Sequence, residues 1–441
     1  MDAYNLVSLF GLVVLLGFAW VLSENRRVFN WRVTLVGMGA VLVFGLLLFA
    51  TPAGRAAFWW VNTAVEHLLA AANAGSHFVF GRLSVSPDTT GPFGETSLGF
   101  ILVTQAFPAI IFFSALIAIL YYCGIMQRLI SGFAWFFTRV LKLSGAESLC
   151  AASDVFVGIE ASLTVRPHLK TMTRSELNTV LTTGMASVAS NVMLFYVAVL
   201  KQQFNGIAGH LASASLLAIP TALVVSKILV PESETPKTMG QTVTADYEKE
   251  DNLFEAIING SMAGAKLIVG IVALLLAVVS LVALANLIMG GLGGQVNDLT
   301  GAKVDWSLQG LLAYLFTPFT ALMGVPIEDV LPVSRLVGER LVLTEVAAYQ
   351  DLAGLMANNE LQHPRSAVIA AYALCGFAHL PSMAIFVGGI AALAPERKST
   401  LAALGPRALL GATLATLIVG CVAGVCFSGG EMLLEGASAA P

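Results

Sequence analysis

Two stretches of this sequence decide the fold: AESLCAASDVFVGIEASLTVRPHLK at 146–170 and EDVLPVSRLVGERLVLTEVAAYQDLAGLMAN at 328–358. Charges interrupt both, so neither reads as a simple membrane span, and each sets one glutamate, Glu160 or Glu345, among small or apolar neighbours. Each is followed by an apolar run with a polar interruption, GMASVASNV (184–192) after the first and CGFAHLPSM (375–383) after the second. A broken hairpin and then a helix with a polar break therefore occur twice, in the same order. Irregular backbone at membrane depth survives only where protein or a water-filled cavity satisfies its polar groups. Paired interruptions in two halves of a chain point to a transporter's binding site near the bilayer midplane.

The surrounding sequence belongs in a membrane. Of 441 residues, 57% are hydrophobic and 11% charged, against about 45–50% and about 25% in soluble domains. Apolar runs at about 4–22, 33–50, 97–123, 178–200, 207–230, 264–290, 366–394 and 406–428 are each long enough for a helical crossing. Their continuity excludes the short alternating strands of a transmembrane barrel. The expected fold is an all-α polytopic membrane protein with eight transmembrane helices and two opposed re-entrant hairpins. Arg26, Arg27 and Arg32 follow the first span, Arg128, Arg139 and Lys142 follow the third, and Arg397, Lys398 and Arg407 separate the last two. All lie on one side, which the positive-inside rule makes cytoplasmic. Both termini then lie outside, the hairpins enter from opposite faces, and the two halves are inverted repeats.

Residues 1–95 read as N-terminal transmembrane helices with a connecting segment, and 96–230 as the first repeat. The polar tract 231–252 reads as a cytoplasmic linker and 253–441 as the second repeat. Segment 125–140, an apolar face with Arg128 and Arg139 at its ends, suits a helix lying in the interface. The run Leu6 to Leu22 has no basic residue before it, so it reads as a first span and not as a cleaved signal. Five cysteines in apolar surroundings, without C-x-x-C spacing, read as inert buried thiols.

At these segments the sequence resembles the concentrative nucleoside transporters. The matching words are GSHFVFG (75–81), FPAIIFFSALIAILYYCGIMQ (107–127), SGAESLCAASDVFVGIEASLTVRPHL (144–169), MTRSELNTVLTTGMASVAS (172–190), LVLTEVAAY (341–349) and YALCGFAHLPSMAIFVGGIAALAPERKS (372–399). The resemblance implies a homotrimer in the inner membrane, with a scaffold and a transport domain built from two re-entrant hairpins and two partly unwound helices. It further implies elevator-type alternating access, with nucleoside import driven by sodium or, in some members, protons. No cofactor beyond the coupling ion and no nucleic-acid partner is implied.

Carried over residue by residue, the substrate positions are Gly158, Ile159, Glu160, Thr344, Glu345, His379 and Ser382. The ion-coupling positions are Asp154, Val157, Ser187 and Val188, where sodium would bind. Three departures stand out. The family's G-Q-T-E is here Gly158-Ile159-Glu160, without the amide and hydroxyl that face the base. Thr344 stands where the family has asparagine before the glutamate, and His379 replaces the asparagine of A-N-F-S-S, with Ser382 kept. A nucleoside with altered base selectivity is the first reading; a nucleobase, modified nucleoside or other polar metabolite on the same scaffold is the second.

An ionisable side chain at membrane depth is a functional candidate by default. The structural alternative for Glu160 and Glu345 is capping a hairpin helix or pairing with Arg166 or Arg340. Asp154 stands where sodium-coupled members have asparagine. A carboxylate there suits a hard cation directly or could carry a proton in its place; the alternative is an N-cap for the following segment. His379 could bind a substrate hydroxyl or titrate, or simply satisfy a helix break, which Pro381 helps to make. Small residues at 184–190 also suit close helix packing; His77 and His168 read as structural or interfacial, and Asn191 and Gln105 as helix bridges. Neither H-E-x-x-H nor G-x-S-x-G occurs, so an enzyme is disfavoured, and the duplicated interruptions favour alternating access over a channel.

Overall fold

The structure is a computed structural model describing residues 2–87, 89–91, 94–245, 250–301 and 304–429. Helices α1 (Ala3–Val21), α2 (Trp31–Ala50) and α3 (Pro52–Phe80) open the chain, followed by a single turn α4 (Leu102–Gln105), α5 (Pro108–Tyr122) and α6 (Ile125–Phe136). The first hairpin consists of α7 (Gly145–Asp154), a 3-10 stretch (Ile159–Val165) and the turn α8 (Arg166–Leu169). Helices α9 (Arg174–Ala186), α10 (Ser190–Leu200) and α11 (Ile207–Leu229) complete the first half. The second half runs α12 (Leu253–Thr300), α13 (Leu308–Leu322), the hairpin α14 (Val330–Val342) and α15 (Glu345–Ala357), then α16 (Pro364–Leu374), α17 (Leu380–Leu393) and α18 (Lys398–Cys426).

All eight expected crossings coincide with helices, and the two with polar interruptions are each a pair, α9 with α10 and α16 with α17. The core lies where α9, α11, α16 and α18 pack together, each buried along nearly its whole length. Helix α12 lies against α5 through Gly260 and Gly264; a Cβ on either would come within 3.0 Å of α5 backbone. Small residues at such a spacing let two membrane helices approach closely.

Five points differ from the sequence reading. Helix α13 lies outside every expected span and hairpin, because its 15 residues are too short a run to read as a crossing. Cys123, read as buried, is exposed, while the other four cysteines are buried. Helix α3, absent from the expected spans, is 29 residues long; Arg55, Glu66 and His67 interrupt its hydropathy, yet Phe58, Asn62, Leu69, Ala72 and Ser76 form one buried stripe. Helix α12 extends the span expected at 264–290 to 48 residues, because the polar and glycine-rich tail after 290 ends the apolar run but not the helix. The tract 231–252 is not a free tether over its described part, and 246–249 lie outside the described residues, as does the end of the second repeat at 430–441. Thr238 O accepts from Gly145 N at 2.9 Å and Thr238 Oγ1 from Ala146 N at 3.1 Å, so the tract caps the start of the first hairpin.

Several charges hold this packing together. Lys227 Nζ lies 2.7 Å from Glu147 Oε2, both buried, and Glu147 and Glu176 each close a capping box. Arg365 donates to Gly324 O, Asn5 Oδ1, Ser8 Oγ and Gly424 O at 2.8–3.0 Å, tying α1, α16 and α18 together. Asp329 accepts from Gln362 N, His363 N and Ser366 Oγ and so caps α16. A buried charge needs partners of this kind, because an unpaired one costs several kcal/mol.

Candidate functional site

Both breaks follow from where the backbone donors go. In an unbroken helix Ser190 N would close on Ala186 O; it donates instead to Phe156 O in the first hairpin, at 3.0 Å. Phe377 N would close on Ala373 O; it donates instead to Ser187 O, at 3.3 Å. The two breaks therefore hydrogen-bond to each other. Gly376 makes the approach possible, since a Cβ there would stand 2.6 Å from Ala186 O and 2.8 Å from Thr416 Cγ2. Past each break the chain restarts a helix, α10 at Ser190 and α17 at Leu380.

These restarts and the hairpin tips surround a cavity of about 130 Å³. It is lined by Gly158, Ile159 and Glu160 from the first hairpin, Thr344 and Glu345 from the second, and His379 and Ser382 from the second break. All seven substrate positions expected from the sequence thus face one space. The starts of four helical segments, at 159, 190, 345 and 380, meet there, and the amino end of a helix carries exposed N–H groups and partial positive charge. Phe107, Phe195, Phe377 and Phe386 supply apolar walls. A mostly apolar cavity with a few convergent polar groups is the usual form of a small-molecule site.

The two glutamates are held differently. Glu345 is buried; Tyr196 Oη donates to its Oε1 at 2.6 Å, and His379 Nε2 stands 2.8 Å from its Oε2. His379 also caps α17, its Nδ1 accepting from Ser382 N at 3.1 Å. An accepting Nδ1 places the proton of a neutral ring on Nε2, facing Glu345. Glu160 is exposed to the cavity and forms no hydrogen bond or ion pair with the described residues. Neither glutamate pairs with Arg166 or Arg340, one of the two structural alternatives for these acids; as to the other, capping, Glu345 is the first residue of α15, after the N-cap Thr344.

Ser382 turns inward on its own backbone: its hydroxyl donates to His379 O at 2.7 Å and contacts Phe377 O, and it accepts from His379 N. It shapes the break as well as lining the cavity. The hydroxyl of Thr344 is buried and makes no hydrogen bond among the described residues. Ile159 packs on α17, where a Cβ on Gly389 would stand 2.4 Å from its Cδ1.

The four expected ion-coupling positions lie around the tip of the first hairpin and the first break. Asp154 is buried as the last residue of α7, so it is not the N-cap of the next segment; Thr183 Oγ1 donates to its Oδ2 at 2.6 Å. Ser187 is the C-cap of α9, and its hydroxyl is buried without a hydrogen bond. Val188 is buried beside it, whereas Val157 lines a neighbouring cavity that shares Gly158, Glu160 and Asn191 with the first. Asn191 bridges to Ser114 of α5, at 3.1 Å, and faces both cavities. Gln105 donates to the carbonyls of Val85 and Gly99 and is a bridge. Sequence reading missed Tyr196 and Thr183; the first sits in an apolar run with no local signal, the second four residues before the break.

Two hairpins and two broken helices closing on one cavity define a membrane transporter, not an enzyme. Models of Na+ dependent nucleoside transporters match residues 10–83 (N-terminus) and 210–424 (C-terminus), and a nucleoside-recognition gate model matches 103–203. The uncharacterized transporter YutK of Bacillus subtilis (strain 168) is 36% identical over 424 residues, which cover 95% of this chain and 98% of that protein. Solute carrier family 28 member 3 of Eptatretus stoutii is 33% identical, with 96% of this chain but 61% of the longer protein covered. Sodium/nucleoside cotransporter 1 of Rattus norvegicus is 34% identical over 96% of this chain and 64% of its own. The chain thus spans about three fifths of these two animal relatives. The structure of CNTnw in an inward-facing substrate-bound state superposes with a TM-score of 0.84 at 34% identity, covering 96% of this chain and 98% of that one. This chain belongs to the Na+ dependent nucleoside transporter family.

Proposed function

We propose that the protein is a cation-coupled symporter that imports nucleosides or nucleoside-like solutes by elevator-type alternating access. The observation that carries this reading is the convergence of hairpin tips and helix restarts on one cavity that mixes two carboxylates with aromatic walls. Carboxylates accept hydrogen bonds from sugar hydroxyls, helix amino ends donate to their oxygens, and phenylalanine faces pack on a base. Substrate bound between groups on both hairpins links their tips, and that shared contact favours movement of the transport domain as one body.

The coupling ion is read as sodium at Asp154, Ser187 and the carbonyls of Val157 and Val188, an oxygen donor set suited to a hard cation. A proton held on Asp154 is the second reading, supported by the carboxylate itself. A homotrimer in the inner membrane, re-entrant hairpins and termini on the outer side complete the proposal. The exposed apolar length of α12, from Val269 to Leu292, would meet lipid or a neighbouring subunit. Ile159, where the family reads the base with polar groups, supports altered base selectivity or a related polar solute.

Proteoliposome uptake tests the reading. Accumulation of a nucleoside above its outside concentration, abolished when the cation gradient is collapsed, is the expected result. Equilibration without accumulation would indicate a channel, and binding of no nucleoside or nucleobase would replace the substrate. Full proton-driven uptake in the absence of sodium would remove sodium from Asp154.

A further inference from the structure

Breaking a helix leaves carbonyls at its carboxyl end that need a positive partner. In the second half this partner belongs to the chain: Ala373 O, whose helical donor Phe377 N is directed elsewhere, accepts from Arg340 Nη1 at 2.5 Å, and the same nitrogen donates to Thr416 Oγ1 at 2.8 Å. Arg340 is fully buried, forms no ion pair among the described residues, and its Nε and Nη2 make no hydrogen bond. It is thus a positive charge set against carbonyl and hydroxyl oxygens, bonded to no carboxylate among the described residues, with Glu345 of the same hairpin as a nearby negative group. Thr416 also packs close to Gly376, which lies against Ala186 O, so the guanidinium stands near the crossing of both breaks.

The first half has the opposite charge at the corresponding place. Arg340 lies near the end of the first arm of its hairpin, beside the helix that breaks; Asp154 ends the first arm of the other hairpin, beside α9. Asp154 adds negative charge to a carboxyl-end field, whereas Arg340 cancels one.

We propose that Arg340 is a built-in counter-cation: its guanidinium permanently fills, at the second break, the place that an exchangeable coupling cation occupies at the first. The transporter then needs an outside ion at one break only. This inference rests on the cation-coupled reading above, and Arg340 acts in it as a positioning residue that keeps α16 broken and the cavity shaped.

Arg340→Ala and Arg340→Lys test it, with guanidinium chloride at millimolar concentration as probe. Arg340→Ala should lower uptake about tenfold or more. Added guanidinium should restore much of that uptake and raise the melting temperature of the variant, with neither effect on the wild type. Arg340→Lys should keep uptake with an unchanged cation dependence. Wild-type uptake by Arg340→Ala, or a defect that guanidinium neither rescues nor stabilises, overturns the proposal. If Arg340→Ala does not fold, Arg340→Lys decides: lost uptake or an altered cation dependence refutes the charge role, and retained uptake supports it. The melting measurement needs neither substrate nor gradient, so a wild type without cation-driven uptake would refute the transport reading separately.

Discussion

The two hairpin tips each present a glutamate to the same cavity, yet one is fixed and the other free. Glu345 is buried between Tyr196 and His379, and His379 is itself held by its capping bond to Ser382. Glu160 projects into the cavity without a hydrogen-bond or ion-pair partner among the described residues. A carboxylate already positioned by neighbours loses little freedom on binding, whereas a free one must be ordered by the ligand. On the proposed function, the second hairpin would be a prepared half-site and the first the part that substrate organises. The adjoining cavity supports this division, because it reaches the site past Gly158 and Glu160 and includes Arg166 of the first hairpin.

The most damaging change should be Glu345→Gln. It removes the charge that His379 and Tyr196 hold and that substrate hydroxyls would meet, and hydrogen bonds to a charged group are worth about 1.5–3 kcal/mol. Nucleoside affinity measured by calorimetry should fall about 10- to 100-fold. Unchanged affinity would remove Glu345 from the site and dissolve the contrast.

Asp154→Asn comes next. It keeps an oxygen beside Thr183 Oγ1 but removes the charge and the ability to exchange a proton. On the sodium reading, sodium-driven uptake should survive with a half-saturating sodium concentration raised about tenfold; on the proton reading, uptake driven by a proton gradient without sodium should disappear. Proton-driven uptake at the wild-type rate in this variant would show that Asp154 carries no proton.

Glu160→Gln should separate binding from stability. Since Glu160 has no hydrogen-bond or ion-pair partner among the described residues, the variant's melting temperature should stay near the wild-type value, within the roughly 0.5 kcal/mol expected of substitutions away from structural contacts. Nucleoside affinity should weaken about tenfold. A large loss of stability would mean that Glu160 serves the fold, and the two tips would then be alike.

This asymmetry was only half legible in the sequence. The duplicated order of hairpin and interrupted helix revealed both tips, because a glutamate among apolar neighbours and a polar break in a span are local signals. Composition did not distinguish acids that bind from acids that hold the structure. Glu147, Glu176 and Asp329 are as buried as Glu345, but Glu147 and Glu176 close capping boxes with Ser144 and Thr173, three residues back, a local signal that the reading did not use, whereas Lys227 beside Glu147 and the 362–366 groups on Asp329 lie far along the chain. Arg340 is one position C-terminal to a glutamate in a charged word, GER, and nothing local shows that its guanidinium ends on the carbonyl of Ala373. The length of α3 was missed for a related reason: hydropathy reports the bilayer, while a helix needs only one buried stripe and good caps.

The smallest effect should come at Ile159, and it bears on what the free tip reads. Gly389 leaves room for the isoleucine to lie against α17, so the side chain at this point of the cavity is an apolar surface that offers a base neither donor nor acceptor. Ile159→Gln is close in length and restores an amide. If the first hairpin faces the base, the variant should change the ratio of affinities between nucleosides that differ only in the base by about two- to tenfold, the worth of one neutral hydrogen bond. It should leave the response to removal of a ribose hydroxyl unchanged if, as proposed, that end meets Glu345 and His379. Competition binding with matched pairs of nucleosides and deoxynucleosides measures both ratios. A change in the hydroxyl response with none in the base response would reverse the assignment, placing the sugar at the free tip and the base at the fixed one.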